Sequence, residues 1–201
     1  PHDQKSGWLN RLVGAINAQD ENLALSFGQN MPAVMRGSYS ANTWAPSALP
    51  DAGDDYMSLV QKVYARDPLF SESFSKAIDI QVMGMDALDG NERQLARRSR
   101  SNQGFTTMAQ TAGKWLSRAD GPRLATLELG GWDTHVQQGT EGGTMANNLS
   151  LFARGIDELK KELGDSWSKT VVVAMTEFGR TARPNGSRGT DHGTAGTAFL
   201  F

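Results

Sequence analysis

Apolar residues recur at alternating steps of four and three between Thr144 and Leu163, which predicts an amphipathic helix. The positions on this stripe are Met145, Leu149, Phe152, Ile156, Leu159 and Leu163. An extended run, residues 124–129, precedes this stretch, and a continuous apolar run with β-branched residues, 170–175, follows it. A continuous run is typical of a parallel strand that is covered on both faces. The pattern therefore predicts a right-handed βαβ unit.

The preceding part of the chain is predicted to be mainly helical. Apolar residues at helical spacing are found in residues 7–18, 55–65, 71–98 and 103–119. Alternation over residues 22–27 predicts a strand, and residues 32–36 are predicted to form a second extended piece. Residues 37–54, which are rich in Ser, Ala, Pro and Gly, predict a long loop.

These elements predict a single α/β domain over residues 1–201, with a mostly parallel sheet and flanking helices. Residues 1–120 would be its mainly helical part, and residues 121–201 would hold the βαβ core with the candidate site. The chain begins with proline and ends on an apolar run, residues 198–201. We therefore expect both ends to continue in a longer protein.

Polar residues follow both strands of the predicted βαβ unit. Asp133 and His135 come after the first strand, and Glu177 and Arg180 come after the second. In open α/β sheets, ligands bind beyond the carboxyl ends of the strands. A third polar cluster, residues 189–193, lies in a loop rich in Gly, Pro and Asn. We expect these three loops to converge on one site.

Composition excludes several classes of function. The 201 residues include 22 acidic and 20 basic ones, so the balance of charge does not indicate a nucleic acid or a membrane surface as partner. No apolar run reaches the roughly 18 residues that indicate a transmembrane helix. The chain has no cysteine, which excludes disulfides and thiolate metal sites.

Two of the three histidines lie beside aspartates in the converging loops. Imidazole and carboxylate groups are preferred ligands of zinc, manganese and iron. The candidate metal ligands are therefore Asp133, His135, Glu177, Asp191 and His192.

Three of these candidates also have a plain structural interpretation. His135 fits a polar residue that caps the turn before it, and His192 fits a solvated loop residue. Glu177 fits a structural ion pair with Arg180 or Arg183, and such pairs shift pKa values without implying function. The sequence leaves these alternatives open.

Four motifs carry a resemblance to a known family. They are residues 7–11 (Gly-Trp-Leu-Asn-Arg), 130–135 (Gly-Gly-Trp-Asp-Thr-His), 176–181 (Thr-Glu-Phe-Gly-Arg-Thr), and Asn185 with 189–193 (Gly-Thr-Asp-His-Gly). In this order they resemble a large bacterial family catalogued as the domain of unknown function numbered fifteen hundred and one. That family is placed in the alkaline phosphatase and sulfatase superfamily, and the resemblance covers most of the chain.

The resemblance implies an alkaline phosphatase-like fold with one or two divalent ions at the carboxyl edge of the sheet. It implies that Asp133, His135 and His192 are ligands and that Glu177 stands in the place of a strand-end Asp ligand. The Asp-x-His pair is spaced by one residue, where the superfamily more often uses three. Phe178 stands where two-metal members have a histidine, so we expect one zinc, manganese or iron ion rather than two.

The resemblance also implies a function and a location. The chain is expected to be part of a metal-dependent hydrolase of small anionic phosphate or sulfate esters, with Arg180 facing the negative charge that develops on the ester oxygens. The strand with the nucleophile is expected before Pro1, so this chain alone is expected to be inactive. Longer members usually carry a twin-arginine-type leader, which implies export to the periplasm. The alternative is an exported, non-catalytic binding or assembly protein with a degenerate metal site and a protein partner.

Overall fold

The computed structural model describes residues 6–17, 19–46, 52–87 and 104–201. Contacts divide the chain into two compact units. The first unit comprises Pro1–Arg100 with Arg118–Leu127, and the second comprises Ser101–Ser117 with Glu128–Phe201. This division does not test the prediction of a single domain, which stays a prediction. Among the described residues, no helix has both the length and the apolar character needed to cross a bilayer.

The first unit contains a three-stranded parallel sheet. Its strands are β1 (Ala24–Phe27), β2 (Asn42–Trp44) and β3 (Leu124–Leu127), in the spatial order β2-β1-β3. Every residue of the central strand is buried, as expected for a parallel strand between two neighbours. The predicted strand over residues 22–27 is confirmed. The predicted loop over residues 37–54 is wrong in part, because residues 42–44 form β2 and pair with β1.

Helix α1 (Trp8–Asn17) contributes Leu9 and Val13 to the apolar core of this unit. Its buried Asn10 donates from Nδ2 to the carbonyl oxygens of Met35 (3.0 Å) and Tyr39 (2.8 Å). The motif over residues 7–11 therefore has a structural role in the first unit, since Asn10 ties the helix to the following loop.

A 3₁₀ helix, Ala33–Met35, replaces the extended piece that the sequence predicts at residues 32–36. The amide of Met35 donates to the carbonyl of Pro32 over 2.9 Å, which closes the turn. The side chain of Met35 is thereby buried in the core of the first unit. The prediction of an extended conformation here is wrong because the turn buries a large apolar side chain.

Two further helices of the first unit are α2 (Asp54–Tyr64) and α3 (Pro68–Ala87). They confirm the helix predicted over residues 55–65 and the described part of the helix predicted over residues 71–98. The remainder of the second prediction, residues 88–98, lies outside the described residues. Gly84 of α3 lies so close to the indole of Trp44 that a side chain at this position would clash with it.

The second unit contains the packed helices α4 (Gly104–Leu116) and α5 (Thr144–Leu163). The ring of Phe105 lies against Gly155, where a β-carbon would clash with it. Both helices are confirmed, and α5 has the bounds that its apolar stripe predicts. A 3₁₀ helix, Gly164–Lys169, continues from α5.

The strands of the second unit form two antiparallel pairs. They are β4 (Val173–Ala174) with β7 (Phe199–Leu200), and β5 (Gly179–Arg180) with β6 (His192–Gly193). The α/β class is confirmed. The predicted βαβ unit is wrong within the described residues, because β3 lies in the parallel sheet while β4 pairs antiparallel with β7.

The second predicted strand also differs in burial. Val173 and Met175 are exposed, so this run is not a parallel strand covered on both faces. A run of β-branched apolar residues favours an extended chain but does not specify which strand it pairs with. The mostly parallel sheet is therefore replaced by one parallel sheet of three strands and two antiparallel pairs in the described part of the chain.

Candidate metal centre

The β5–β6 pair places Arg180 directly opposite His192. The amide of Thr181 donates to the carbonyl of Asp191 over 2.9 Å and extends this pairing. Asn185 then closes the connecting loop, since its amide donates to the carbonyl of Gly189 over 2.8 Å. The second and third polar clusters of the sequence are therefore the two arms of one hairpin.

The loop that carries Asp133 and His135 lies across this hairpin. Gln138 donates its backbone N–H to the carbonyl of Arg188 over 3.0 Å, and the amide of Thr190 donates to the carbonyl of Thr134 over 3.1 Å. Gly189 is buried at the crossing, where a β-carbon would clash with the carbonyl groups of Thr134 and His135. The three predicted loops thus converge, and the close approach of their backbones depends on a glycine.

One carboxylate oxygen is the centre of the cluster. Oδ1 of Asp133 lies 2.9 Å from Nε2 of His135, 2.9 Å from Nε2 of His192 and 2.5 Å from Nη1 of Arg180. The ligand atoms of the aspartate and the two histidines all lie within 4.8 Å of one another. These three residues form the candidate metal triad.

The triad fits a divalent cation. Two imidazole nitrogens and a carboxylate oxygen are a common ligand set for zinc and for other first-row metals. Ligand atoms bound tetrahedrally to zinc stand about 3.3 Å apart, given the usual bond lengths. The two distances of 2.9 Å from Oδ1 of Asp133 to the Nε2 atoms fall short of this spacing by a few tenths of an ångström. Asp133 and His192 are both exposed, so the triad is accessible from solvent.

Asp191 contacts the far side of His135. Its Oδ1 lies 3.0 Å from Nδ1 of His135, and Nδ2 of Asn185 donates to the same oxygen over 2.8 Å. In metalloproteins, a carboxylate at this place on a histidine fixes the tautomer and the orientation of the ring. The geometry therefore places Asp191 against His135 and outside the candidate triad, and its role as a ligand stays a prediction.

Phe178 contacts the other histidine. Its ring is stacked on the imidazole of His192 with centroids 4.5 Å apart and an angle of 14° between the planes. The position where the resemblance implies a histidine in two-metal members is thus occupied by an aromatic ring that packs against a member of the candidate triad.

All three nitrogens of the Arg180 guanidinium donate hydrogen bonds to other residues of the protein. Nε donates to Oγ1 of Thr190 over 2.9 Å, Nη2 donates to the carbonyl of the same residue, and Nη1 donates to Asp133. The side chain of Arg180 is only 17% exposed. Its predicted contact with an ester substrate stays a prediction, while the contacts described here orient Asp133.

Both aspartates keep a lowered pKa. The hydrogen bond with His192 is the main cause for Asp133, and Arg180 adds to it. For Asp191, the hydrogen bond from Asn185 is the main cause, followed by the one with His135. The two side chains are therefore ionised acceptors at neutral pH, which is the form that ligates metal or holds an imidazole N–H.

Glu177 is exposed and lies outside the triad. Neither Arg180 nor Arg183 forms an ion pair with it among the residues that the structure describes, so the structural alternative for Glu177 is not formed. Its role as a ligand stays a prediction.

Two residues were missed by sequence reasoning as parts of the site. Gln138 accepts from the hydroxyl groups of two threonines and has no sequence signal, whereas Asn185 belongs to the last motif.

The fold and the triad define an α/β protein with a candidate metal centre. The chain belongs to the family described as "Protein of unknown function (DUF1501)", whose profile matches residues 1–201. Searches of curated proteins and of solved structures found no match.

Proposed function

We propose that Asp133, His135 and His192 bind one divalent metal ion, either zinc, manganese or iron. The observation that carries this proposal is the convergence of two Nε2 atoms on one carboxylate oxygen, each over 2.9 Å. The stacking of Phe178 on His192 supports one ion rather than two, because an apolar ring occupies the position next to the ligand.

We further propose that the centre serves the hydrolysis of a small phosphate or sulfate ester, within an alkaline phosphatase-like protein that is exported to the periplasm. The resemblance of the four sequence motifs supports this reaction and this location. A bound divalent ion would supply a Lewis acid and a water of lowered pKa. The exposure of Asp133 and His192 leaves room for an anionic substrate beside the triad.

The residues around the triad would hold its ligands in place. Asp191 accepts the Nδ1 proton of His135, which leaves Nε2 as the ligating nitrogen. Arg180 fixes Asp133 through Nη1 and lies next to the triad, where its positive charge favours an approaching anion. These residues would orient the metal ligands and attract an anion in the arrangement that the loops already have.

A second candidate function is a non-catalytic, metal-binding protein of the same family with a protein partner. One observation favours it. The hydroxyl groups of Thr134 and Thr190 both donate to Oε1 of Gln138, at 3.0 and 2.8 Å, and are thus engaged in holding the site.

The test is the metal content of the purified protein by inductively coupled plasma mass spectrometry. We expect about one ion per chain in the wild type, as four-coordinate structural and catalytic sites hold. The double variant His135→Ala/His192→Ala should lose it, and His2→Ala, which alters the histidine outside the motifs, should retain it. A wild type that remains metal-free after dialysis against zinc, manganese and iron would overturn the proposal. Release of nitrophenol from nitrophenyl phosphate or sulfate, assayed on the metal-loaded longer protein that would carry the expected nucleophile, separates the hydrolase from the non-catalytic protein.

A further inference from the structure

Asn185 makes four hydrogen bonds through one amide side chain. Its Oδ1 accepts from the backbone N–H groups of Ser187 (2.9 Å) and Gly189 (3.0 Å). Its Nδ2 donates to the carbonyl of His135 (2.9 Å) and to Oδ1 of Asp191 (2.8 Å). The oxygen therefore shapes the hairpin loop, while the nitrogen contacts the backbone of His135 and the carboxylate that lies against its imidazole.

The nitrogen of this amide acts on His135 in two ways. It fixes the backbone of the histidine through the carbonyl, and it fixes the carboxylate that contacts Nδ1 of the ring. When a carboxylate holds Nδ1, the other ring nitrogen, Nε2, is the one available to a metal. Nε2 of His135 is the atom that faces Asp133.

We propose that Asn185 is a positioning residue for the metal centre and acts through Asp191 on His135. This inference rests on the proposed metal-binding function. Asn185 itself would not contact the ion, because both polar atoms of its amide are engaged by the protein. Residues that hold a metal-ligating histidine typically contribute a factor of about 10 to 100 to metal affinity.

The variant Asn185→Asp separates positioning from loop structure. A carboxylate keeps the acceptor oxygen for the amides of Ser187 and Gly189, but it replaces the donor by an oxygen that repels Asp191. The added negative charge would by itself strengthen the binding of a cation. Loss of positioning predicts the opposite, a weaker affinity by about 10- to 100-fold.

Asn147→Asp is the matched control. It is the same chemical change with the same added charge, at an exposed residue of α5 in the same unit. Nδ2 of Asn147 contacts only the carbonyl of Gly142, at 3.3 Å, among the hydrogen bonds of the described residues. This variant reports the effect of charge alone, so its cobalt affinity should be equal to or greater than that of the wild type.

The experiment measures the affinity for cobalt(II) by competition titration, together with the visible absorption spectrum of the bound ion. Thermal unfolding of each variant verifies that it is folded. We expect Asn185→Asp to bind cobalt about 10- to 100-fold more weakly and with an altered spectrum. Affinity and spectrum equal to those of Asn147→Asp would overturn the positioning role of Asn185.

A second variant, Asp191→Ala, keeps the proposal testable if Asn185→Asp does not fold. Asp191 is exposed, and its removal takes away the partner of Nδ1 directly. A similar loss of cobalt affinity is expected, and an unchanged affinity would overturn the inference. A folded wild type that binds no cobalt would instead contradict the proposed metal-binding function, so the two failures are distinguishable.

Discussion

The ring of Phe178 lies on the imidazole of His192, with an angle of 14° and a centroid distance of 4.5 Å. Arg180 is close to the same ring, its Cζ atom 5.6 Å from the centroid. An aromatic side chain thus restrains one of the triad histidines through stacking, and a carboxylate restrains the other through a hydrogen bond. The two imidazoles are held by different physical interactions.

Replacing Phe178 by leucine should weaken metal binding. A stacked aromatic pair contributes about 0.5 to 1.5 kcal/mol beyond its buried area, so we expect the affinity for cobalt or zinc to fall by roughly 2- to 10-fold. Phe178→Tyr keeps the ring and should bind as the wild type does. Isothermal titration calorimetry of both variants provides the measurement, and equal affinities would show that stacking does not restrain His192.

Arg180→Lys should destabilise the folded protein. An ammonium group cannot reproduce the planar set of donors that contacts Asp133 and both oxygens of Thr190. Because hydrogen bonds of charged groups contribute about 1.5 to 3 kcal/mol each, we expect the free energy of unfolding in urea to fall by about 2 kcal/mol.

Arg183→Lys is the control for this change. Arg183 is exposed, and its side chain makes no hydrogen bond or ion pair in the described part of the chain. The substitution should change the free energy of unfolding by less than about 0.5 kcal/mol, as most surface substitutions do. If both variants unfold at the wild-type urea concentration, the guanidinium contacts of Arg180 do not stabilise the loops.

Gly189→Ala should separate the two loops that carry the triad. The added methyl group would clash with the backbone carbonyls of Thr134 and His135, which cannot rotate away as a flexible side chain could. Overpacking of this kind costs about 1 to 3 kcal/mol, and metal affinity should fall as well because His135 moves. Gly186→Ala in the same hairpin meets no atom within 4 Å and should leave the melting temperature and the affinity unchanged. A tolerated Gly189→Ala would mean that the crossing is looser than the structure indicates.

Stability should fall at acidic pH through Asp133 and Asp191. Their pKa values in the folded protein lie below the ordinary value of 3.8, mainly because of hydrogen bonds with His192 and Asn185, respectively. Each carboxylate therefore stabilises the fold above pH 3.8, and this contribution is lost as the pH falls through the lowered pKa. Urea unfolding between pH 5 and pH 2 should show a shallower decline in the double variant Asp133→Asn/Asp191→Asn than in the wild type. Parallel curves would contradict this contribution.

The sequence predicts the helices well because their signal is local. The apolar stripe of Thr144–Leu163 repeats over 20 residues and agrees with the bounds of α5. Strand pairing is a long-range property, and nothing in the run 170–175 indicates that Ala174 pairs with Phe199. Strand β2 is only three residues long, so its pattern was too short to distinguish from the loop around it.

The site also combines features with a local sequence signal and features that depend on long-range contacts. Asp133, His135 and His192 could be predicted because their chemistry is rare in this chain and their loops were expected to converge. The order of contacts could not be predicted, because it depends on how the hairpin crosses the loop at Gly189. The contact of Asp191 with Nδ1 of His135 is part of this order, and its predicted role as a ligand stays a prediction.

Oδ1 of Asp133 is approached by three nitrogens within 2.9 Å, although one carboxylate oxygen has only about two lone pairs. In the tautomer that donates Nδ1–H to Asp191, Nε2 of His135 is an acceptor, and it faces this oxygen, which is another acceptor. Such a conflict is local frustration in a structure whose other contacts support one another. The loops around Gly189 and Asn185 are firmly tied, and the competition is concentrated on a single oxygen. The fold is therefore least committed to one arrangement of partners at the atom on which the proposed function depends.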